Sequence, residues 1–247
     1  MPKKMPTCNR LNFFFTLLLL LVASPIAPCN ATEGSPTGGK AGHFFSAIQN
    51  EVGHKLSARG LTLGNQVFIR ILKLPGILEL WVKKDTTFEL FSSYPICTYS
   101  GYPGPKLREG DLQSPEGFYH VRRNQLNPTS SYHLAFDIGY PNLYDLNNHR
   151  DGSNIMIHGG CSSTGCFAMG DKKMEEIYVT VQQALLAGQQ KVEVHIFPFA
   201  LTKPNLERFS QSPWINFWKS MAPMYIFFEK RKQLPIITVV KNSYSLN

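Results

Sequence analysis

Charge, cysteine and long apolar runs are all scarce in this 247-residue sequence. Charged residues make up 17% and hydrophobic residues 43%, a balance that supports a packed core and excludes disorder of the whole chain. Only one long apolar run occurs, Leu11 to Ala23, so a helical protein with several membrane spans is excluded. No Lys/Arg run is interleaved with aromatics, so the net charge of +8 carries no nucleic-acid reading. No internal repeat is visible. Length allows one substantial domain with appendages.

The apolar run reads as part of a signal peptide. Lys3, Lys4 and Arg10 form a positive n-region, Leu11 to Ala23 is the h-region, and Cys29-Asn30-Ala31 places small residues for cleavage after Ala31. A lipoprotein signal at Ile26-Ala27-Pro28-Cys29 and an uncleaved anchor are the rival readings; Pro28 fits a lipobox poorly. In each case the remainder is exported, most simply to a periplasm, and the membrane is touched only through the leader. Removal of residues 1–31 takes three positive charges and leaves +5, which suits an anionic polymer or a membrane surface. It also removes Cys8 and Cys29. Cys97, Cys161 and Cys166 remain, an odd number that leaves at least one thiol free or paired outside the chain.

Residues 32–63 read as a Gly/Ser/Pro linker, Thr32 to Gly42, followed by a short amphipathic helix, His43 to Arg59, stopped by Gly60. Antiparallel strands follow at Gln66 to Lys73, Ile77 to Lys83 and Phe88 to Ser92. Tyr94 to His120 is a long Gly/Pro-rich loop with aromatic content, the kind that carries function. Strands are expected at Gly117 to Val121, Tyr132 to Ile138 and Val192 to Phe197, a helix over Met169 to Leu186, two helices at Asn205 to Phe217 and Met221 to Lys230, and a last strand at Pro235 to Val240. The fold class is α+β and β-rich, a mixed sheet or barrel-like core over 64–200 with a helical C-terminal extension over 201–247.

The chemistry concentrates in Asn154 to Asp171, NIMIHGGCSSTGCFAMGD. A short apolar strand ends at His158, Gly159-Gly160 turns the chain, and Cys166 follows Gly165 where a helix is expected to begin. An ordinary thiol near pKa ~8.5 is mostly protonated at neutral pH. A neighbouring imidazole accepts its proton or holds the thiolate as an ion pair. A helix start at Cys166 would add the favourable end of the helix dipole, and backbone N–H groups at Gly165 would hold an oxyanion. No carboxylate adjoins His158, so a backbone carbonyl at Gly160 or Ser163, or a distant Asp, is expected to orient it. Two other readings stand beside this one: an inert buried Cys166 with a hydrogen-bonded His158, and a zinc set of His158, Cys161, Cys166 and Cys97, whose spacing matches no common structural site.

The run IMIHG followed by S-x-G-C and an apolar residue resembles the L,D-transpeptidase (YkuD-type) catalytic domain, and more closely its YafK-like branch. Supporting segments are Tyr94-Pro95-Ile96-Cys97, Ser100-Gly101, Gly104-Pro105-Lys106, Glu109-Gly110-Asp111, Pro115 to Tyr119, Pro141-Asn142 with Asp145, and Phe197-Pro198-Phe199. They cover roughly 64–200, and Trp214 to Trp218 resembles that branch's C-terminal extension. The resemblance implies a β-rich enzyme outside the membrane, with Cys166 as nucleophile, His158 as general base, and a peptidoglycan stem peptide as acyl donor at its diaminopimelate. An amine resolves the thioester in transpeptidation; water does so in hydrolysis. Three features depart from the general pattern: seven residues between His158 and Cys166, Thr164 where a second His is usual, and Ala168 where an Arg is usual. They bear on acceptor choice, and the YafK-like branch is associated with cleavage of lipoprotein–peptidoglycan links as well as transpeptidation. A wall-binding module without catalysis is the reading from another class.

Further candidates are Ser163 as orienter of the base, and Lys106, Asp111, Tyr119 and Arg150 as substrate contacts. Lys106, Glu109 and Asp111 suit a zwitterionic diaminopimelate end, or else a loop held by its own salt bridges. Arg150 is the candidate to replace the missing carboxylate-binding Arg. Tyr119 and Tyr144 line the cleft or pack in the core, and His133 and His195 read as structural. Cys161 pairs with Cys97, or with Cys166, or with neither, the last being the default. No metal and no organic cofactor are implied.

Overall fold

The architecture comes from a computed structural model that describes residues 40–240 and 242–247. The expected signal peptide, 1–31, and most of the linker lie outside those residues. The opening helix, α1 (Lys40–Ser57), places Ile48, Val52 and Leu56 on one buried face. Strands β1 (Val67–Leu72), β2 (Ile77–Lys84) and β3 (Thr87–Pro95) follow as the alternating pattern predicts. After β4 (Thr98–Tyr99) the long loop runs to β5 (Gly117–Val121). Next come β6 (Leu126–Asn127), β7 (Ala135–Asp137), the one-turn α2 (Leu143–Asn147), β8 (Met156–His158) and β9 (Phe167–Ala168). The chain closes with α3 (Asp171–Leu186), β10 (Val192–Phe197), α4 (Lys203–Arg208), α5 (Ile215–Arg231) and the hairpin β11 (Ile237–Val240) and β12 (Ser243–Leu246).

Two five-stranded mixed sheets form the α+β core, in the orders β3-β2-β1-β10-β5 and β4-β9-β8-β7-β6. Each contains one parallel pair, β1 with β10 and β8 with β9; the other pairings are antiparallel. β1 is buried on both faces, and its alternation shows why. Val67, Ile69 and Ile71 join the main core with Phe136, Ile157 and Phe167 of the second sheet and with α3. Phe68 turns the other way and meets Trp81, Phe88 and Phe228 under α5. Leu72 also faces that side, where Phe197, Trp218, Met221 and Tyr225 pack. The apolar face of α5 therefore covers the first sheet, and burying each large side chain of this kind contributes about 1.5–3 kcal/mol.

The C-terminal extension is less helical than the sequence pattern suggests. The first of the two expected helices shrinks to α4, with Pro204 in its first turn and Phe209 already past its end. β12 was not foreseen at all. Its Tyr244 is held by stacking on Tyr144 at 4.3 Å and by the Asn142 side-chain amide, which donates to the Tyr244 hydroxyl at 2.9 Å. Those partners lie a hundred residues back in the chain, which no local pattern reveals.

Candidate active site

Sheet register brings His158 and Cys166 to one face. In the parallel β8–β9 pair Ile157 lies opposite Phe167 and His158 opposite Ala168. Side chains alternate along a strand. Ile157 and Phe167 point into the core with Phe136 of β7, all three fully buried. Met156, His158 and Ala168 take the opposite face, and Cys166, one residue before β9, continues it. Across the antiparallel β7–β8 pair Ala135 faces His158 and Asp137 faces Met156, so they share this side too.

The thiol of Cys166 accepts the Met156 N–H at 3.4 Å and donates to the Asn154 carbonyl at 3.6 Å. Burial pushes its pKa above that of an ordinary cysteine; the Met156 N–H opposes the rise, the charge of Asp137 adds to it and that of Lys106 opposes it. His158 is buried, and burial lowers its pKa, with the bond to Gly159 acting the other way. Its Nδ1 lies 2.6 Å from the Gly159 carbonyl. That contact fixes Nδ1 as the donor and leaves the Nε2 lone pair available. The orienter is thus a backbone carbonyl, as anticipated in kind, but of Gly159. Both shifts favour the uncharged forms, and at rest the thiol donates to the Asn154 carbonyl rather than to the imidazole.

The connecting loop is pinned at several points. Gly160 N–H donates to the Asp171 carboxylate at 2.7 Å, and Gly170 N–H to the Gly160 carbonyl at 2.7 Å. Gly159 has no room for a side chain, since a Cβ would sit 2.6 Å from the Tyr132 carbonyl. Cys161 forms a disulfide with Cys97, with Cα atoms 5.3 Å apart, so the default of unbonded cysteines is corrected. Among the described residues Cys166 is the free thiol. The same bond removes the zinc reading, because two of its four ligands are not thiolates.

Other expectations change as well. Cys166 enters a strand, and α3 starts only at Asp171, so the thiol gains nothing from a helix terminus. Ser163 does not touch the imidazole; its hydroxyl donates to the Cys166 carbonyl at 2.7 Å and accepts the Gly165 N–H at 3.1 Å. Lys106 and Asp111 are committed to each other at 2.7 Å, and Asp111 also takes the N–H groups of Leu107, Arg108 and Gln113. That is the self-braced loop. Tyr119 is fully buried and donates to Asp145 at 2.8 Å, away from the cleft. Arg150 pairs with the other oxygen of Asp145 at 3.0 Å and lies over the rings of Tyr144 and Phe217. It is a buried strut between α2 and α5 and cannot reach a substrate carboxylate. His195 is enclosed by aromatic rings, with its pKa pushed down to about 3 by burial first and Arg70 second.

Three contacts escaped the sequence pattern. Tyr132 lays its ring 4.8 Å from the His158 ring. The Ser114 hydroxyl donates to the Cys166 carbonyl at 3.3 Å. Asp137 stands on the reactive face. A groove of about 670 Å³ opens elsewhere, lined by Phe118, His120 and the C-terminal hairpin, and includes none of these groups.

Comparison with known proteins places this geometry in context. The family described as the L,D-transpeptidase catalytic domain, YkuD, matches residues 79–196. Two proteins of Escherichia coli, from strains K12 and O157:H7, carry the provisional name L,D-transpeptidase YafK. Each is 44% identical over 182 residues, 74% of this chain and 74% of its own. Among solved structures, the helical cell shape determining protein Pgp2 of Campylobacter jejuni aligns over 80% of both chains at 20% identity and a TM-score of 0.44.

Proposed function

The chain belongs to the L,D-transpeptidase catalytic domain family, and from that premise we propose that it is an exported cysteine acyltransferase acting on peptidoglycan stem peptides at diaminopimelate. The observation that carries the proposal is the single face shared by the free Cys166 thiol and the His158 imidazole, whose Nδ1 is tied to a carbonyl and whose Nε2 is not. As the sulfur attacks the amide carbonyl, its proton passes to Nε2. The S–C bond forms, the C–N bond breaks, and the imidazolium returns the proton to the departing amine. An incoming amine then gives its proton to Nε2 and attacks the thioester; the C–S bond breaks, and the imidazolium returns that proton to the sulfur, which regenerates the thiol. Gly165 N–H, held by Ser163 at rest, is the assigned oxyanion donor. Export is supported by the Cys97–Cys161 disulfide, a bond that persists in oxidising compartments.

Hydrolysis of the same thioester is the second reading, releasing a wall-linked lipoprotein or a D-amino acid. It is favoured by the sequence at the site, where Thr164 and Ala168 offer no cation to hold an acceptor, and by burial of His158, which disfavours its protonated form and leaves Nε2 to accept a proton from water. Incubation with purified muropeptides separates the two. Cross-linked dimers or exchanged D-amino acids indicate transfer and shortened products alone indicate hydrolysis; processing that persists unchanged in Cys166→Ala overturns the Cys166 thioester route of both readings, and binding without any product from the wild type favours a wall-binding module.

A further inference from the structure

The reactive face carries one carboxylate that the mechanism does not use. Asp137 ends β7 and lies opposite Met156, the residue whose N–H holds the Cys166 thiol. Asp137, Met156 and Cys166 therefore form one row across three adjacent strands. Two strand spacings separate the ends of that row, roughly 10 Å between backbones. The carboxylate and the thiol are close enough for the charge of Asp137 to act on Cys166.

Among the described residues no cation pairs with this charge. The side chain of Asp137 accepts the Gly139 N–H at 2.6 Å, and no basic side chain among the described residues forms an ion pair with it. The lysine and arginine that the sequence offered for substrate, Lys106 and Arg150, are bound to other carboxylates. Asp137 is only partly covered, and burial already disfavours its charged form. A half-buried carboxylate without a cation costs free energy that a bound ammonium would recover.

We propose that Asp137 is the substrate-binding residue for a primary ammonium group carried on the acyl donor, several bonds from the carbonyl that Cys166 attacks. This rests on the stem-peptide reading above, in which the ammonium is the free amino group at the far end of the diaminopimelate side chain. An extended diamino acid side chain bridges the row once the thiol and the carboxylate add their own reach. Asp137 thereby sets which donors lie productively over the thiol, a task the sequence pattern had assigned to Lys106 and Asp111.

The test uses two stem peptides that differ only by acetylation of that amino group. Binding is measured in the Cys166→Ala background and turnover with Cys166 in place. Each is repeated with Asp137→Asn, which keeps the oxygen that accepts Gly139 N–H. A charge-assisted hydrogen bond predicts that acetylation weakens binding about tenfold or more when Asp137 is present and barely at all when Asn replaces it. A purely structural role for Asp137 would instead lower both peptides equally. Equal discrimination by both proteins overturns the ammonium site while leaving acyl transfer intact. Binding that discriminates as predicted, without turnover by the Cys166 enzyme, overturns acyl transfer and sustains the site. Failure to bind either peptide overturns both.

Discussion

Replacing Cys97 and Cys161 by serine tests how the reactive loop is held. The bond closes a loop with a sequence separation of 64 and ties the segment between His158 and Cys166 to the start of β4. In the chain-entropy treatment, a loop of that length restricts the unfolded chain by about 4 kcal/mol at 25 °C. A domain of this size shifts its midpoint by about 2–4 °C per kcal/mol, so Tm should fall by about 8–16 °C. Activity at a temperature well below the new midpoint should survive in large part. Gly160 N–H remains on Asp171, Cys97 N–H on the Ala168 carbonyl, and Ser163 on the Cys166 carbonyl. The assay is a thermal melt of wild type, wild type with reductant, and the double variant, with thioester formation followed on the same samples at low temperature. A melt unchanged to within about 2 °C refutes the entropic reasoning. A total loss of acylation in a still-folded variant refutes the claim that the backbone contacts suffice to place the thiol.

Two further outcomes depend on protonation. Because burial raises the Cys166 pKa, the rate of alkylation by iodoacetamide should be below that of an ordinary thiol at pH 7 and climb through the alkaline range; a fast, pH-independent rate below pH 7 would reveal a thiolate–imidazolium pair and refute the neutral resting state. His195 has its folded pKa depressed to about 3 from an ordinary 6.5, so the stability it carries is complete above pH 6.5 and is lost as pH falls toward 3. Over pH 6.5 to 4 that loss amounts to about 3 kcal/mol, and a His195→Gln variant should show a denaturation midpoint flatter with pH by that amount; equal pH profiles would refute it.

Most of the scaffold could be read from periodicity. The patterns of QVFIRILK and ILELWVK located β1 and β2 within a residue or two, because successive strand residues point to opposite faces; both faces of β1 are buried, so its apolar run is broken only by Arg70. The proposed nucleophile and base stand out for a different reason, a compact strand–turn–strand that keeps Cys166 and His158 within nine residues. What failed was whatever depends on how loops fold back on themselves and how distant segments register. The charges of Lys106, Asp111 and Arg150 look like ligands in a linear reading, because only the folded loops show each meeting its opposite charge five residues away, Lys106 with Asp111 and Arg150 with Asp145. Asp137 looks like an ordinary solvent-side residue until β7 is paired with β8.

The same distinction explains how the C-terminal extension is tied to the candidate site. Trp218 of α5 donates to Glu116 at 2.7 Å, and Glu116 pairs at 3.0 Å with Lys73, both charges fully buried. Lys73 also donates to the carbonyl of Ser114, whose hydroxyl donates to the carbonyl of Cys166. A buried ion pair is strongly destabilising when one partner is lost, by about 3–5 kcal/mol, so this pair survives only while Trp218 and the loop carbonyls complete its hydrogen bonds. A chain of contacts therefore runs from α5 to Glu116 and Lys73, then to Ser114, then to the backbone of Cys166. A linear reading places Trp218 fifty residues from the chemistry and assigns it to packing; the fold makes it the outer end of a polar chain that terminates on Cys166.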